Sequence, residues 1–116
     1  MLRKLMATAI VALALPASAQ AAMQASEIKS EVIGKNLSFQ GANGSKGKVR
    51  HSANGKSRVW GTNFKPAMDS GTWQLKGNRL CVTWEKIRNG KEDCFSMTKT
   101  GAKAFRTSSG VTITAR

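Results

Sequence analysis

Apolar positions along this chain fall into three regimes, and each predicts a different kind of element. From Leu5 to Leu15 they are continuous, 11 residues with no polar break beyond Thr8. Arg3 and Lys4 precede this run, and Pro16 and the small residues Ala17-Ser18-Ala19-Gln20-Ala21 follow it. A basic n-region, a short apolar h-region and an A-x-A site together make a secretory signal peptide; a transmembrane helix would need ~20 apolar residues. Residues 1–21 are therefore expected to be a signal peptide, cleaved near residues 19–21, which leaves a periplasmic or secreted protein.

The second regime covers residues 22–34, AMQASEIKSEVIG. Ile28 and Val32 stand four apart with Ile33 beside them, the stripe of a short helix. Ser26 is the expected N-cap, Glu27 sits in the first turn, and Gly34 suits the left-handed position after the helix. Two turns of helix are not stable alone, so this one must dock on the rest of the chain.

From Lys35 onward the apolar residues alternate in short runs. Strands are expected at 35–39, 48–52, 57–61, 72–76, 79–84, 94–98, 104–107 and 111–115, separated by turn residues, with a longer loop at 63–70. Asn54-Gly55 between β-prone runs predicts a two-residue hairpin turn. That register sets Val49 opposite Trp60 and His51 opposite Arg58, with Val49 and Trp60 toward the core and Lys48 and Arg50 toward solvent. Seven or eight short strands and no second helix predict an all-β fold, a small antiparallel meander with a short N-terminal helix. Closure into a lipocalin-like β-barrel or a strongly curled sheet would remove exposed edges. Residues 22–116 read as one domain.

The same alternation orients the two cysteines. Leu80, Val82 and Trp84 share one face, as do Phe95 and Met97, so Cys81 and Cys94 lie together on the less apolar face of a hairpin. In an exported chain a disulfide is the expected state of such a pair. A two-residue turn at Asn89-Gly90 conflicts with it, because that register offsets the cysteines by ~13 Å along the strands, beyond the ~7 Å a disulfide spans. Either a bulge shifts the register or residues 85–92, EKIRNGKE, form a loop; the charged and turn-forming residues there favour the loop, with Cys81 directly opposite Cys94.

Charge alters the picture of partners. Without the signal peptide, 17 Lys and Arg face six Asp and Glu, a net charge of +11. Such a balance attracts anionic surfaces, and the candidate residues are Lys46, Lys48, Arg50, Lys56, Arg58, Lys86, Arg88 and Lys91. Specific nucleic-acid binding is not expected, since the aromatics Trp60, Trp73, Trp84, Phe95 and Phe105 fit core positions rather than a stacking platform. No metal or cofactor is expected, because CxxC, HxxxH and CxxCH spacings are absent and His51 is the only histidine. His51 flanks the Asn54-Gly55 turn and is expected to be partly exposed. The six acids form no pair set for acid–base work, and phosphate loops and nucleophile elbows are missing, so no catalytic residue is assigned.

Gly34-Lys35, Gly71-Thr72-Trp73, Leu80-Cys81, Trp84 and Cys94 together resemble a G-K, G-T-W, L-C-x-x-W, C pattern of small exported bacterial β-proteins from uncharacterised families. The resemblance implies a periplasmic, disulfide-bonded β-domain. A looser likeness in size and architecture is to periplasmic lysozyme inhibitors. The expected function is non-enzymatic binding of an anionic envelope component (lipid headgroup, polysaccharide or acidic protein), compatible with peripheral membrane contact. The competing expectations are an inhibitor-like protein-interaction module and, third, a small hydrolase-type enzyme.

Overall fold

Alternating apolar runs broken by turn residues become nine strands here, preceded by one helix, in a computed structural model that describes residues 21–116. The expected signal peptide thus lies outside the described residues but for Ala21. The helix α1 is Ala25–Glu31, and the strands are β1 (Leu37–Gln40), β2 (Lys46–His51), β3 (Lys56–Trp60), β4 (Asp69–Lys76), β5 (Arg79–Trp84), β6 (Glu92–Phe95), β7 (Met97–Gly101), β8 (Ala104–Thr107) and β9 (Thr112–Ala115). They form one antiparallel sheet in the order β6-β5-β4-β3-β2-β1-β9-β8-β7. Its two edges, β6 and β7, are separated in the chain by Ser96 alone. One bent strand therefore spans both edges, pairing with β5 through its first half and with β8 through its second, and this nearly closes a barrel.

That bend is why nine strands appear where seven or eight were expected: the run 94–98 is split at Ser96. Its N–H donates to Ser108 Oγ (3.1 Å) and its carbonyl accepts from Ser108 N–H (2.9 Å), so the β8–β9 turn holds the corner.

The helix docks across one end of the barrel. Ile28 and Val32 are fully buried and pack in one core with Leu37, Val49, Leu80, Met97 and Phe105. Backbone bonds tie its flanks to the strand ends: Met23 N–H to Met97 O (2.7 Å) and Gly34 N–H to His51 O (2.7 Å). Gly34 has φ 83°, the left-handed conformation expected of it. Gln24, not Ser26, is the N-cap, and Glu27 Oε1 accepts its N–H at 2.8 Å. Burial of Met23 under the barrel draws the chain in early, so the helix starts ahead of Ser26.

Two registers position the surfaces discussed below. Between β2 and β3 the turn has four residues, Ser52–Gly55, with Gly55 at φ 88° and its N–H on Ser52 O (3.0 Å). Val49 consequently pairs with Val59, His51 with Ser57, Arg50 with Arg58, and Lys48 with Trp60. This is one residue away from the register expected of a two-residue turn, and one residue reverses the face of every side chain on β3. Trp60 therefore lies outside the barrel, not in its core. Between β5 and β6, Cys81 stands directly opposite Cys94, Cα atoms 4.0 Å apart and disulfide-bonded. The loop reading was right and the Asn89-Gly90 hairpin turn does not form. Residues 87–90 make a tight turn instead, with Arg88 (φ 57°) and Asn89 (φ 56°) in the left-handed conformation, and the loop stops at Lys91 because Glu92 already pairs with Thr83.

Candidate functional site

Strands β1 to β4 expose an outer face that carries cations and no acid. Lys46, Lys48 and Arg50 project from β2, Lys56 and Arg58 from β3, and Lys76 from β4, while Ser38, Gln40, Ser70, Thr72 and Gln74 complete the alternation. Arg50 and Arg58 are a direct cross-strand pair. Like charges placed opposite each other are unfavourable, and each guanidinium is steadied from its other side. Arg50 donates to Asn36 Oδ1 at 2.9 Å, and Arg58 stacks 5.8 Å from the Trp60 ring centroid, within cation–π range.

The remaining candidates, Lys86, Arg88 and Lys91, sit on the β5–β6 loop at the open end of the barrel. Only Lys86 joins the first group: with Arg58 it lines a groove whose wall includes Met68, a 53 % exposed methionine, and the carboxylates of Asp69 and Glu85. The fold thus gathers Lys48, Arg50, Arg58, Trp60, Met68 and Lys86 around one basic, partly apolar surface. Arg88 and Lys91 line no part of that groove.

Acids border this surface as well: Glu85 stands in the groove beside Arg58, and Glu92 of β6 reaches Lys76. Lys76 pairs with Glu92 at 2.9 Å and Lys99 with Glu31, the two ion pairs among the described residues. Asp69, on β4 but inward-facing and buried, accepts N–H bonds from Ser70, Lys86 and Ile87 at 2.9 Å each. Burial alone would raise its pKa, but the Ile87, Lys86 and Ser70 N–H groups and the Lys86 charge outweigh it and hold the carboxyl below its ordinary value. Asp69 is thereby the anchor of the β5–β6 loop and fixes Lys86 beside Arg58.

The barrel also has an interior site that sequence reasoning missed. At the open end a cavity of about 240 Å³ runs inward, walled by Val49, Val59, Val82, Trp84, Phe95 and Ile113 and rimmed by Phe64, Ile87 and Val111. His51 lines it near the helix-capped end of β2 and is 4 % exposed, where partial exposure was expected. Burial pushes its pKa down to about 4, so the ring is neutral at neutral pH. Nδ1 lies 2.7 Å from Ser57 Oγ, the ring's one side-chain hydrogen bond among the described residues. Ser57 is itself buried and has no other side-chain partner there. A signal for this was present: Val49 is inward, and period-two alternation carries His51 to the same face.

Cys81, Glu92 and Cys94 bring potential metal ligands within 4.8 Å of one another, but the two sulfurs are bonded to each other and neither is a thiolate. Compared with protein-family models, curated proteins and solved structures, the chain matches none.

Proposed function

We propose that this chain is an exported, non-enzymatic binding protein of the bacterial envelope that lies on anionic lipid headgroups through its β1–β4 outer face. The observation that carries the reading is the Arg50–Arg58 pair, two like charges held opposite each other on strands whose outward positions include no acid. Such a pair weakens the sheet until an anion shared between the guanidinium groups relieves it. Trp60 beside Arg58 and the exposed Met68 beside Lys86 favour a lipid surface over a purely polar polysaccharide. An indole and a thioether gain from the headgroup boundary, where basic side chains find the phosphates. The disulfide is compatible with the oxidising compartment that the N-terminal pattern predicts.

The non-enzymatic part rests on the one nucleophile-like pair among the described residues. Ser57 bonds His51 Nδ1, and among the described residues no carboxylate meets the ring's other nitrogen, so the pair lacks the orienting third group of an activated hydroxyl. Co-sedimentation with phosphatidylglycerol vesicles, phosphatidylcholine vesicles and envelope polysaccharide tests the reading. Binding confined to the anionic vesicles and weakened by salt supports it; preference for polysaccharide, or salt-insensitive binding, overturns it.

A further inference from the structure

We propose that the barrel interior is a second binding site, which takes a small, neutral, largely apolar molecule whose one hydrogen-bond acceptor, a carbonyl or ether oxygen, meets Nε2–H of His51. The site is independent of the outer basic face.

Its size sets the ligand class. About 240 Å³ lies between the ~150 Å³ of an engineered cavity that admits benzene and the ~300 Å³ at which drug-sized pockets begin. Water is a poor occupant, because each molecule needs two or more polar partners and the wall is mainly Val, Ile, Phe and Trp. Of the polar groups on the lining, Thr107 and Ser109 satisfy each other at 2.8 Å, and Thr107 Oγ1 also accepts Val111 N–H at 3.1 Å. Asp93, which faces inward opposite Val82, adds a carboxylate to the wall and disfavours an anionic guest.

That leaves His51, whose Nδ1 either accepts from or donates to Ser57 Oγ, depending on the ring tautomer. We take the Ser57 O–H as the donor, since His51 Nδ1 is the one side-chain acceptor within its reach among the described residues. In that arrangement the ring proton sits on Nε2. That N–H has no protein acceptor among the described residues, on a ring that lines the cavity and is 4 % exposed. A buried donor without a partner is costly, and a ligand oxygen placed there removes the cost.

The test uses three probes of one size and shape on the 15N-labelled protein: acetophenone, ethylbenzene, which lacks the oxygen, and benzoate, which adds a charge. Acetophenone is expected to give saturable shifts in the His51 ring nitrogens and the Val49, Val59 and Val82 methyls. Ethylbenzene should bind at the same place about tenfold more weakly, or about 1.4 kcal/mol, and benzoate more weakly still. The unliganded His51 spectrum should show the proton on Nε2. Equal affinity for acetophenone and ethylbenzene, shifts confined to surface residues, no saturable shift with any probe, or a proton on Nδ1 would each overturn the proposal.

Discussion

Arg50 and Arg58 stand directly opposite each other on the outer face of β2 and β3, a cross-strand pair of like charge with Asn36 behind one guanidinium and the Trp60 ring beside the other. A sheet selected for stability alone would place an acid at one of these positions. The same four-residue turn that creates this pair also turns Trp60 outward, so the cation–π contact and the basic face share one cause.

The disulfide is predicted to contribute about 3 kcal/mol, the chain-entropy value for a loop of this length; the cysteines are 13 residues apart. For a domain of this size that corresponds to a melting temperature lower by roughly 12–24 °C in reducing agent or in a Cys81→Ala, Cys94→Ala double variant. A thermal melt followed by circular dichroism measures it, and coincident melts with and without reductant would exclude the staple.

Gly71 is predicted to tolerate no side chain. A Cβ there would collide with the Thr83 carbonyl oxygen, which is backbone and cannot swing aside. Gly71→Ala must separate β4 from β5 at the position facing Trp84, at a cost of about 1–3 kcal/mol. Chemical denaturation of the variant checks this, and an unchanged midpoint would mean that the two strands are not so closely apposed.

His51 makes stability depend on pH between 6.5 and about 4. Its folded pKa lies below the unfolded one, so in that window the unfolded chain binds the extra proton. Stability is then full above 6.5 and is lost as pH falls toward 4, by a total on the order of 3 kcal/mol. Urea midpoints across this range should fall with pH, and the dependence should vanish in His51→Leu. A flat profile in the parent protein would place the ring in solvent.

Asp69→Asn is predicted to loosen the β5–β6 loop at a cost of about 1–3 kcal/mol, because the Lys86 and Ile87 N–H groups lose a charged acceptor. Since the folded carboxyl titrates below its ordinary value, its contribution is complete at neutral pH and disappears as pH falls through that depressed value. Faster amide exchange at Lys86 and Ile87, with β2 and β3 unchanged, is the expected signature. Unchanged exchange at both amides would contradict the anchoring role.

Period-two alternation made the barrel legible, and the facing cysteines made the β5–β6 register legible even against an attractive Asn-Gly turn. Two features resisted. The turn at residues 52–55 hides its extra residues, since Asn54-Gly55 fits two hairpin geometries that differ by one residue in register. That slip misplaced Trp60. The break at Ser96 is set by contacts with Ser108, 12 residues away, and leaves no local mark in the alternating run 94–98. The basic candidates could be named from the sequence, but their grouping could not: Lys86 reaches Arg58 only because Asp69, an acid hidden on β4, ties down its loop. The inward site was missed because a lone histidine near a turn looks solvated until its parity with Val49 is followed.

The central claim is best tested by the affinity of an Arg50→Gln, Arg58→Gln double variant for phosphatidylglycerol vesicles at ~0.1 M salt, where the Debye length is ~10 Å. Each basic residue near an anionic surface contributes about 1 kcal/mol, so binding should fall about thirtyfold while the melting temperature holds or rises as the like-charge pair is relieved. Undiminished vesicle binding by this folded variant would contradict the account.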